Sequence, residues 1–303
     1  MMETTRLPRL MLGDNQFFGV NHMSEERARQ QLMRFQDLDA VMRVLEDACD
    51  VGITTFMCTT HDRVAQICDR VRADPARYPG LCFQPGMPYA HKYANSVTEA
   101  GILGTLGRFL PKDGAFGAVL RGTKSLATRD IQGISTLLID AEMRMFEGLP
   151  TPVVWMQNVV VDLLVGLGLH DSLATFAAHV AERYGAQPGF ITMNLTHTLD
   201  ALEVAGVDNP LVCTNINKLG FRMSGGIQAY ETALARRRFR AVAMSVFASG
   251  AIPPREAIEW ISREPNIESV VFGASRRASL TSTKALAEEF WVEETTRVMA
   301  ATG

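Results

Sequence analysis

The sequence lacks an excess of charge of either sign. Its 303 residues include 30 Lys and Arg against 33 Asp and Glu, which gives a formal net charge of −3. Nucleic-acid-binding proteins usually carry a basic excess or a basic stripe, so we expect no nucleic-acid partner. Charged residues make up 21% and hydrophobic residues 47% of the chain, and this composition excludes intrinsic disorder.

Long apolar runs and paired cysteine motifs are also lacking. The most apolar run, residues 159–169, has 11 residues and contains Asp162, whereas a membrane-spanning helix needs about 20. The first residues include no apolar region of signal-peptide length. The five cysteines are odd in number, scattered and without a CxxC motif, which is typical of reduced thiols. We therefore expect a cytoplasmic protein that has no membrane contact.

What the chain does contain is an alternation of short apolar segments with segments of helical periodicity. For example, apolar residues between Leu38 and Ala48 recur at helical spacing, and Gly52 follows them, which predicts a helix with one buried face. Eight apolar segments of strand length are each followed by such a helix. They are residues 7–12, 53–59, 81–84, 153–157, 190–193, 211–216, 241–247 and 270–272.

These eight strands are too apolar to have a solvated face, which indicates a parallel sheet covered by helices. Eight βα units predict a single (β/α)₈ TIM barrel that occupies residues 1–303 as one domain. No GxGxxG motif follows the first strand, which disfavours a doubly wound sheet. The Gly-rich residues 89–148 interrupt the alternation between strands 3 and 4. We interpret them as a helical insertion that covers the barrel, with a helix near residues 134–146.

Polar side chains follow many of the predicted strands. In a TIM barrel the active site lies at the carboxyl ends of the strands, and amide and imidazole groups there suit a polar small molecule. We therefore predict a small-molecule substrate. The candidate substrate-binding residues are Asn15, His22, Gln157, Asn158, Asn194, Asn215 and Asn217.

Four residues at the predicted mouth are candidates for catalysis. His61 and His91 suit proton transfer, and Asp14 follows the first strand. Lys218 follows strand 6, where an apolar floor would favour the neutral amine and a Schiff base with a carbonyl substrate. Alternatively, Lys218 stays charged and pairs with a substrate phosphate or with a carboxylate such as Asp14.

The chain carries no compact metal-ligand motif. His22, His61, His91, Asp14 and Cys58 could supply ligands, but no two of them have a spacing such as HxH or HxxxH. Metal sites usually draw on such spacings. We therefore predict no metal site.

An anion-binding segment is predicted after strand 8. Gly273, Ala274 and Ser275 precede two arginines and a helix, so backbone N–H groups at a helix N-terminus and guanidinium groups would meet a phosphate. The candidate phosphate- or cofactor-binding residues are Ser245, Gly273, Ser275, Arg276 and Arg277.

Four segments resemble the aldo/keto reductases. AVAMSVFASGAIPPREAIEWI resembles the strand 7 region of that family and VVFGASRRASLTST its strand 8 cofactor-phosphate motif. FITMNLTHTLDAL resembles the "GxSN" segment and places Asn194 at the asparagine that contacts the nicotinamide amide. GITTFMCTTHDRV resembles "GxxxFDTAxxYG". The resemblance implies a TIM barrel and a site for NADPH.

The same alignment departs from the family at its four catalytic positions. The positions of the catalytic Asp, Tyr, Lys and His are occupied by Met57, by His61 and Asp62, by Gln84 and Pro85, and by Gln157 or Asn158. The resemblance therefore implies a divergent member that lacks the catalytic tetrad. Carbonyl reduction would then need another acid, such as His61.

Three functions remain open. The sequence favours an enzyme with lyase or isomerase chemistry, by acid–base or Schiff-base catalysis, on a small metabolite that bears a phosphate or a carbonyl. The first alternative is an NADPH-dependent oxidoreductase with a non-standard proton donor. The second is a non-catalytic barrel that binds a nucleotide or a partner. The sequence identifies neither the substrate nor an oligomeric state.

Overall fold

Eight parallel strands close into a barrel in chain order. The structure, a computed structural model, describes residues 5–20, 23–89 and 131–301, with side chains in the last range from 136 to 291. The strands are β1 (Leu10–Leu12), β2 (Thr55–Thr59), β3 (Cys82–Met87), β4 (Val153–Met156), β5 (Gln187–Thr192), β6 (Leu211–Asn215), β7 (Arg240–Met244) and β8 (Ile267–Phe272). The predicted (β/α)₈ barrel is confirmed.

Helices surround this barrel. They are α1 (Glu25–Arg34), α2 (Leu38–Asp50), α3 (Asp62–Ala73), α4 (Ile131–Met143), α5 (Asn158–Gly166), α6 (Asp171–Tyr184), α7 (Leu195–Val204), α8 (Ile227–Arg236), α9 (Pro254–Ser262) and α10 (Arg277–Ala301). A short 3₁₀ helix, Asn15–Phe18, follows β1. None of the helices in the described ranges is long and apolar enough to cross a membrane.

The barrel closes between its first and last strands. Leu10 pairs with Val270 and Leu12 with Phe272, and the Gly13 N–H donates to the Phe272 carbonyl at 2.9 Å. The loops that follow β1 and β8 are therefore neighbours at the carboxyl end of the barrel, which we call the mouth.

The middle of the barrel is filled by side chains. Trp155 is fully buried among Met11, Met57 and Cys213, and its indole N–H donates to the Gln84 amide oxygen at 3.0 Å. On β5, Gly189 faces the indole so closely that a Cβ there would lie 2.4 Å from the ring. This solid layer separates the mouth from the opposite end, the base.

An ion pair lies at the base, with the Arg240 and Glu268 side chains 10% and 25% exposed. The Arg240 guanidinium donates to both carboxylate oxygens of Glu268, at 2.6 and 2.5 Å, and the Leu7 N–H donates to the same carboxylate. Arg240 also donates to the Thr5 carbonyl. This network ties β7, β8 and the N-terminal segment together where the barrel closes.

The structure corrects three local expectations. Strand β3 continues to Met87 instead of ending before Pro85, because Gly86 and Met87 pair with Trp155 and Met156 of β4. Helices α1 and α5 were not predicted. The Ser172 side chain does not cap α6, whose N-cap position is occupied by His170.

The interruption between β3 and β4 is described only in its last part. Helix α4 ends at Met143 and a 3₁₀ turn covers Arg144–Phe146, close to the helix predicted near residues 134–146. Residues 90–130 of the predicted insertion lie outside the described residues, so the covering role assigned to them stays a prediction.

Candidate functional site

Asp14 lies at the mouth, one residue beyond the close pairing of β1 with β8. Its side chain is buried, and its Oδ2 accepts hydrogen bonds from the Thr59 N–H at 2.7 Å and the Thr59 hydroxyl at 2.8 Å. Thr59 ends β2 and follows the inward-facing Met57 by two positions, so the carboxyl is held at the mouth, on the side that faces the barrel interior.

Asp14 prefers its protonated form more than an exposed aspartate does. Burial raises the pKa of the Asp14 carboxyl, and the hydrogen bonds from Thr59 offset only part of this effect. Among the described residues Asp14 forms no ion pair. A raised pKa is the direction of change that a general acid needs.

His61 occupies the N-cap position of α3. Its Nδ1 accepts a hydrogen bond from the Arg63 N–H at 3.1 Å. The ring packs against Phe18, with 4.7 Å between ring centroids, and lies edge-on to Tyr89 at 6.1 Å. Phe18 is four residues beyond Asp14, so the imidazole and the carboxyl belong to the same corner of the mouth.

Tyr89 and Glu142 were not among the predicted site residues. The buried carboxylate of Glu142 in α4 accepts from the Tyr89 N–H at 3.0 Å and from the Thr60 hydroxyl at 2.5 Å. Burial, and then the charge of Asp14, raise the pKa of the Tyr89 phenol. Extending β3 through Pro85 would have placed Tyr89 at a strand end and identified it as a candidate.

The mouth is not filled by the described side chains. Ile191, Met244 and Val271 point into the barrel yet are partly exposed, unlike Trp155 below them. Partial exposure inside a closed barrel requires an opening above these residues. They form an apolar floor beneath the Asp14 corner.

Two of the predicted amide residues shape loops. The Asn217 amide donates to the Phe221 carbonyl and accepts from the N–H groups of Leu219 and Phe221. Asn215 donates to the Arg222 carbonyl at 3.1 Å. Both are buried, so their polar atoms serve the β6–α8 loop.

The other substrate-binding candidates differ in position. Asn194 is the N-cap of α7 and its Oδ1 lies 3.0 Å from His197 Nδ1. Gln157 is the N-cap of α5 and Asn158 its first residue, whereas Asn15 is exposed. His22 and the catalytic candidate His91 lie outside the described residues.

Lys218 forms an ion pair with Glu256 of α9. Its side chain is 35% exposed, so the ammonium is both paired and hydrated. This ion pair gives no support to a Schiff base. The pairing partner is Glu256 and not Asp14.

The structure separates the two arginines of the predicted anion-binding segment after β8. Arg277 turns outward and donates to Asp47 and Asp50 of α2, at 3.1 and 2.6 Å. Arg276 is exposed and forms no ion pair among the described residues. Arg276 and the first N–H groups of α10 therefore remain as the predicted anion-binding groups.

Helix α1 adds two arginines that the sequence did not single out. Arg34 donates to the Ser275 carbonyl at 2.7 Å, and the Arg27 guanidinium lies 3.1 Å from the place where a Cβ on Gly250 would be. No periodic pattern marks α1, because it has no buried residues. The loops after β7 and β8 therefore face cationic side chains from α1.

An unpartnered acceptor lies beside the same segment. The Gln16 side chain is buried, and its Nε2 donates to the Gly13 carbonyl at 2.7 Å. Its Oε1 has no hydrogen-bond partner in the described part of the chain and lies 2.7 Å from where a Cβ on Gly273 would be. The close approach explains why position 273 has no side chain.

The loop after β7 has a strained backbone. Ser245, Ala248 and Ser249 have φ angles of 58°, 44° and 56°, a region that non-glycine residues rarely adopt. Such strain occurs preferentially at functional sites. Ser245 thus lies in a loop that fits its predicted role in ligand binding.

Several features lie away from the mouth. Cys58 faces the outer core, and burial raises the pKa of its thiol well above the ordinary value. In the described ranges, no three His, Cys, Asp or Glu side chains converge on a point that could hold a metal ion.

Comparison with known proteins supports the fold. A Pseudomonas aeruginosa protein, PA4992, assigned to the aldo-keto reductases, superposes with a TM-score of 0.53 at 15% identity, over 92% of this chain and 88% of its own. Gox0644 superposes with a TM-score of 0.52 at 10% identity, over 92% of this chain and 83% of its own. The chain shares the barrel fold of the aldo/keto reductases. At these identities the likeness establishes the fold alone.

Sequence comparisons add nothing to this result. No protein-family model matches the chain, and no curated protein matches it significantly.

Proposed function

We propose that the protein is an oxidoreductase that transfers a hydride between NADPH and a small carbonyl compound at the barrel mouth. One observation carries the proposal: a buried carboxyl with a raised pKa follows the strand that pairs with β8, and β8 leads to the helix N-terminus for which anion binding was predicted. Asp14 follows β1 and Arg276 follows β8, and these strands are paired neighbours. Carbonyl reduction needs both a proton donor and a site for an anionic cofactor.

The residues around α10 fit a dinucleotide phosphate. The first N–H groups of α10, the Arg276 side chain and Arg34 of α1 supply donors and positive charge. NADPH, when bound, supplies the hydride.

The chain's own residues would deliver the proton. Asp14 holds a proton more readily than an exposed aspartate does, and its Oδ2 is fixed by Thr59. This leaves Oδ1 as the atom that carries the proton. The apolar floor of Ile191, Met244 and Val271 lowers the local polarity, which strengthens electrostatic interactions with a carbonyl oxygen.

NADPH fluorescence titration tests the proposal. We expect saturable binding by the wild-type chain and about tenfold weaker binding by Arg276→Ala, the expected loss for one charged hydrogen bond. Arg238→Ala is the matched control, because Arg238 is a surface arginine that pairs with Asp208. Absence of binding at millimolar NADPH, or equal losses in both variants, would rule out this cofactor site.

Lyase or isomerase chemistry is the second candidate. A protonated Asp14 can also protonate an enolate without any cofactor, so the same carboxyl favours this function as well. Turnover of a carbonyl substrate without NADPH would select it. The ion pair between Lys218 and Glu256 argues against a Schiff-base mechanism. It does not argue against acid–base catalysis by Asp14.

A further inference from the structure

Two glycines leave space on one side of the mouth. Gly13 directly follows β1, and Gly86 of β3 pairs with Thr59 at the end of β2. A Cβ on Gly13 would lie 3.3 Å from Val271 Cγ2, and a Cβ on Gly86 would lie 3.5 Å from Ile191 Cδ1. Because Val271 and Ile191 point into the barrel, both glycines face its interior. Each therefore leaves open a place that most residues would fill with a side chain.

The apolar floor faces this space. Ile191 of β5, Met244 of β7 and Val271 of β8 pack on the interior cluster around Trp155 and remain partly exposed. The close approach of Ile191 to the Gly86 position shows that its tip reaches past β4 to β3. A molecule bound beside the glycines would therefore rest on hydrocarbon, and burying its own apolar groups there would be favourable.

Two polar side chains near this floor serve other parts of the protein. The Thr59 hydroxyl donates to the Asp14 carboxylate at 2.8 Å. The Asn215 amide donates to the Arg222 carbonyl at 3.1 Å, and Asn215 is only 1% exposed. A hydroxyl group of a ligand that lay against the floor would give up hydrogen bonds to water in exchange for contacts with methyl groups. Such an exchange weakens binding.

We propose that the mouth selects ketones and aldehydes whose substituents are short alkyl groups without hydroxyl or phosphate groups. The carbonyl oxygen would lie toward Asp14, and the alkyl groups would lie on the apolar floor and beside Gly13 and Gly86. The proposal rests on the proposed function for the reaction that follows binding. The binding preference itself rests on the side chains that line the mouth.

This proposal narrows the substrate class that the sequence favoured. Polar side chains after the strands indicated a polar metabolite that bears a phosphate or a carbonyl. The interior positions that stay partly exposed in the closed barrel are instead the apolar residues Ile191, Met244 and Val271. A substrate that fits them carries the carbonyl and lacks the phosphate.

Binding of two matched ketones to the full chain tests the proposal. 3-Pentanone and dihydroxyacetone have the same number of non-hydrogen atoms, and 3-pentanone has a methyl group in place of each hydroxyl. Carbon-13 NMR of the Met ε-methyl and Ile δ1-methyl groups follows binding at Met244 and Ile191, with Met244→Leu and Ile191→Val used to assign the signals. Ile258 is the control methyl, because it is fully buried in the outer core.

We expect 3-pentanone to shift both floor signals, with at least about tenfold higher affinity than dihydroxyacetone, and to leave the Ile258 signal in place. The titrations are made with and without NADPH. A smaller affinity ratio, or no shift with either ketone, would overturn the proposal.

Gly86→Ala tests where the alkyl groups lie. The new Cβ would meet Ile191 Cδ1 at 3.5 Å and the Cys58 carbonyl at 3.7 Å. These are ordinary van der Waals distances, so the variant should fold. Its methyl group occupies the proposed space, and 3-pentanone should bind at least about threefold more weakly. Gly166→Ala, at a position with open space around it, should bind like wild type. Unchanged affinity in Gly86→Ala would contradict the proposed position.

The ketone titrations need neither hydride transfer nor turnover, so their failure differs from failure of the proposed function. Selective binding of 3-pentanone by a chain that does not bind NADPH would refute the oxidoreductase and support the substrate class. Binding of NADPH without selectivity between the ketones would support the cofactor and refute the substrate class.

Discussion

At the base of the barrel, Glu268 is held by the Arg240 guanidinium through two charged hydrogen bonds, whereas at the mouth Asp14 accepts hydrogen bonds from neutral donors, chiefly the N–H and hydroxyl of Thr59. Both carboxyls lie within the same closed barrel. The base carboxylate is paired with a cation, while no described residue forms an ion pair with Asp14. We infer that the base was built for stability and the mouth for chemistry, as in other TIM barrels.

The largest expected loss of stability comes from breaking the ion pair between Arg240 and Glu268 at the base. Glu268→Gln leaves the Arg240 guanidinium, which is 10% exposed, without its counter-charge. Breaking a buried ion pair in this way costs about 3–5 kcal/mol of unfolding free energy. Urea denaturation measures the loss.

The matched control for this change is Glu203→Gln. Glu203 is 79% exposed and pairs with Arg237, so its loss should cost about 0–1 kcal/mol. If both variants lost a similar amount of unfolding free energy, the ion pair at the base would be no stronger than an exposed one.

The next effect tests the solid layer between the two ends. Gly189→Ala places a methyl group 2.4 Å from the Trp155 ring, so the indole must move and weaken its bond to Gln84. Overpacking of this kind costs about 1–3 kcal/mol, which urea denaturation can measure.

Gly166→Ala is the control for that experiment. A Cβ at Gly166, the last residue of α5, meets nothing within 4 Å. The free energy of unfolding of the Gly166→Ala variant should stay the same or rise by up to about 1 kcal/mol. If Gly189→Ala were equally harmless, the middle of the barrel would not be tightly packed.

A smaller effect, of opposite sign, is expected at the mouth. Because burial raises the folded-state pKa of Asp14, its ionised form destabilises the fold above that pKa. The penalty disappears as the pH falls through the folded pKa toward the ordinary value of 3.8. Asp14→Asn should therefore be at least as stable as wild type near pH 7, and its advantage should shrink in acid.

Urea denaturation across this pH range checks the prediction for Asp14→Asn. Asp200→Asn serves as the control, because Asp200 is 64% exposed and its change should show no comparable trend. A loss of stability in Asp14→Asn at neutral pH would mean that the mouth carboxylate stabilises the fold as the base carboxylate does.

The smallest effect concerns Lys218. Its ion pair with Glu256 is partly exposed, so Lys218→Met should cost at most about 1 kcal/mol. In borohydride trapping with dihydroxyacetone, we expect no adduct on Lys218 by peptide mass spectrometry, because the amine is engaged by Glu256. An adduct on Lys218 would restore the Schiff-base mechanism.

The architecture could be predicted from the sequence, because buried strands and amphipathic helices leave local periodic patterns. Helix α2 shows this, with six buried residues on one face. Helix α1 could not be predicted in this way, since it buries no residue and leaves no apolar stripe. Pro85 was taken to end β3, although its neighbours keep the pairing with β4.

The sequence predicted which residues follow the strands and so lie near the site, but it did not predict which side chains they contact. Asp14 and His61 were identified because they follow strands. The pairings of Asp14 with Thr59, of Lys218 with Glu256 and of Arg277 with α2 depend on residues far apart in the chain. No local pattern reports such contacts, so the roles of these residues emerged only from the fold.

Titration of the Asp14 carboxyl by carbon-13 NMR tests the contrast between the two ends most directly, with Asp14→Asn used to assign the signal. We predict a midpoint above 3.8, the ordinary value for aspartate, and a further rise in Thr59→Val, because the Thr59 hydroxyl lowers the pKa of Asp14. A midpoint at or below 3.8 would contradict the account, since Asp14 would then be a stabilised carboxylate and not an acid.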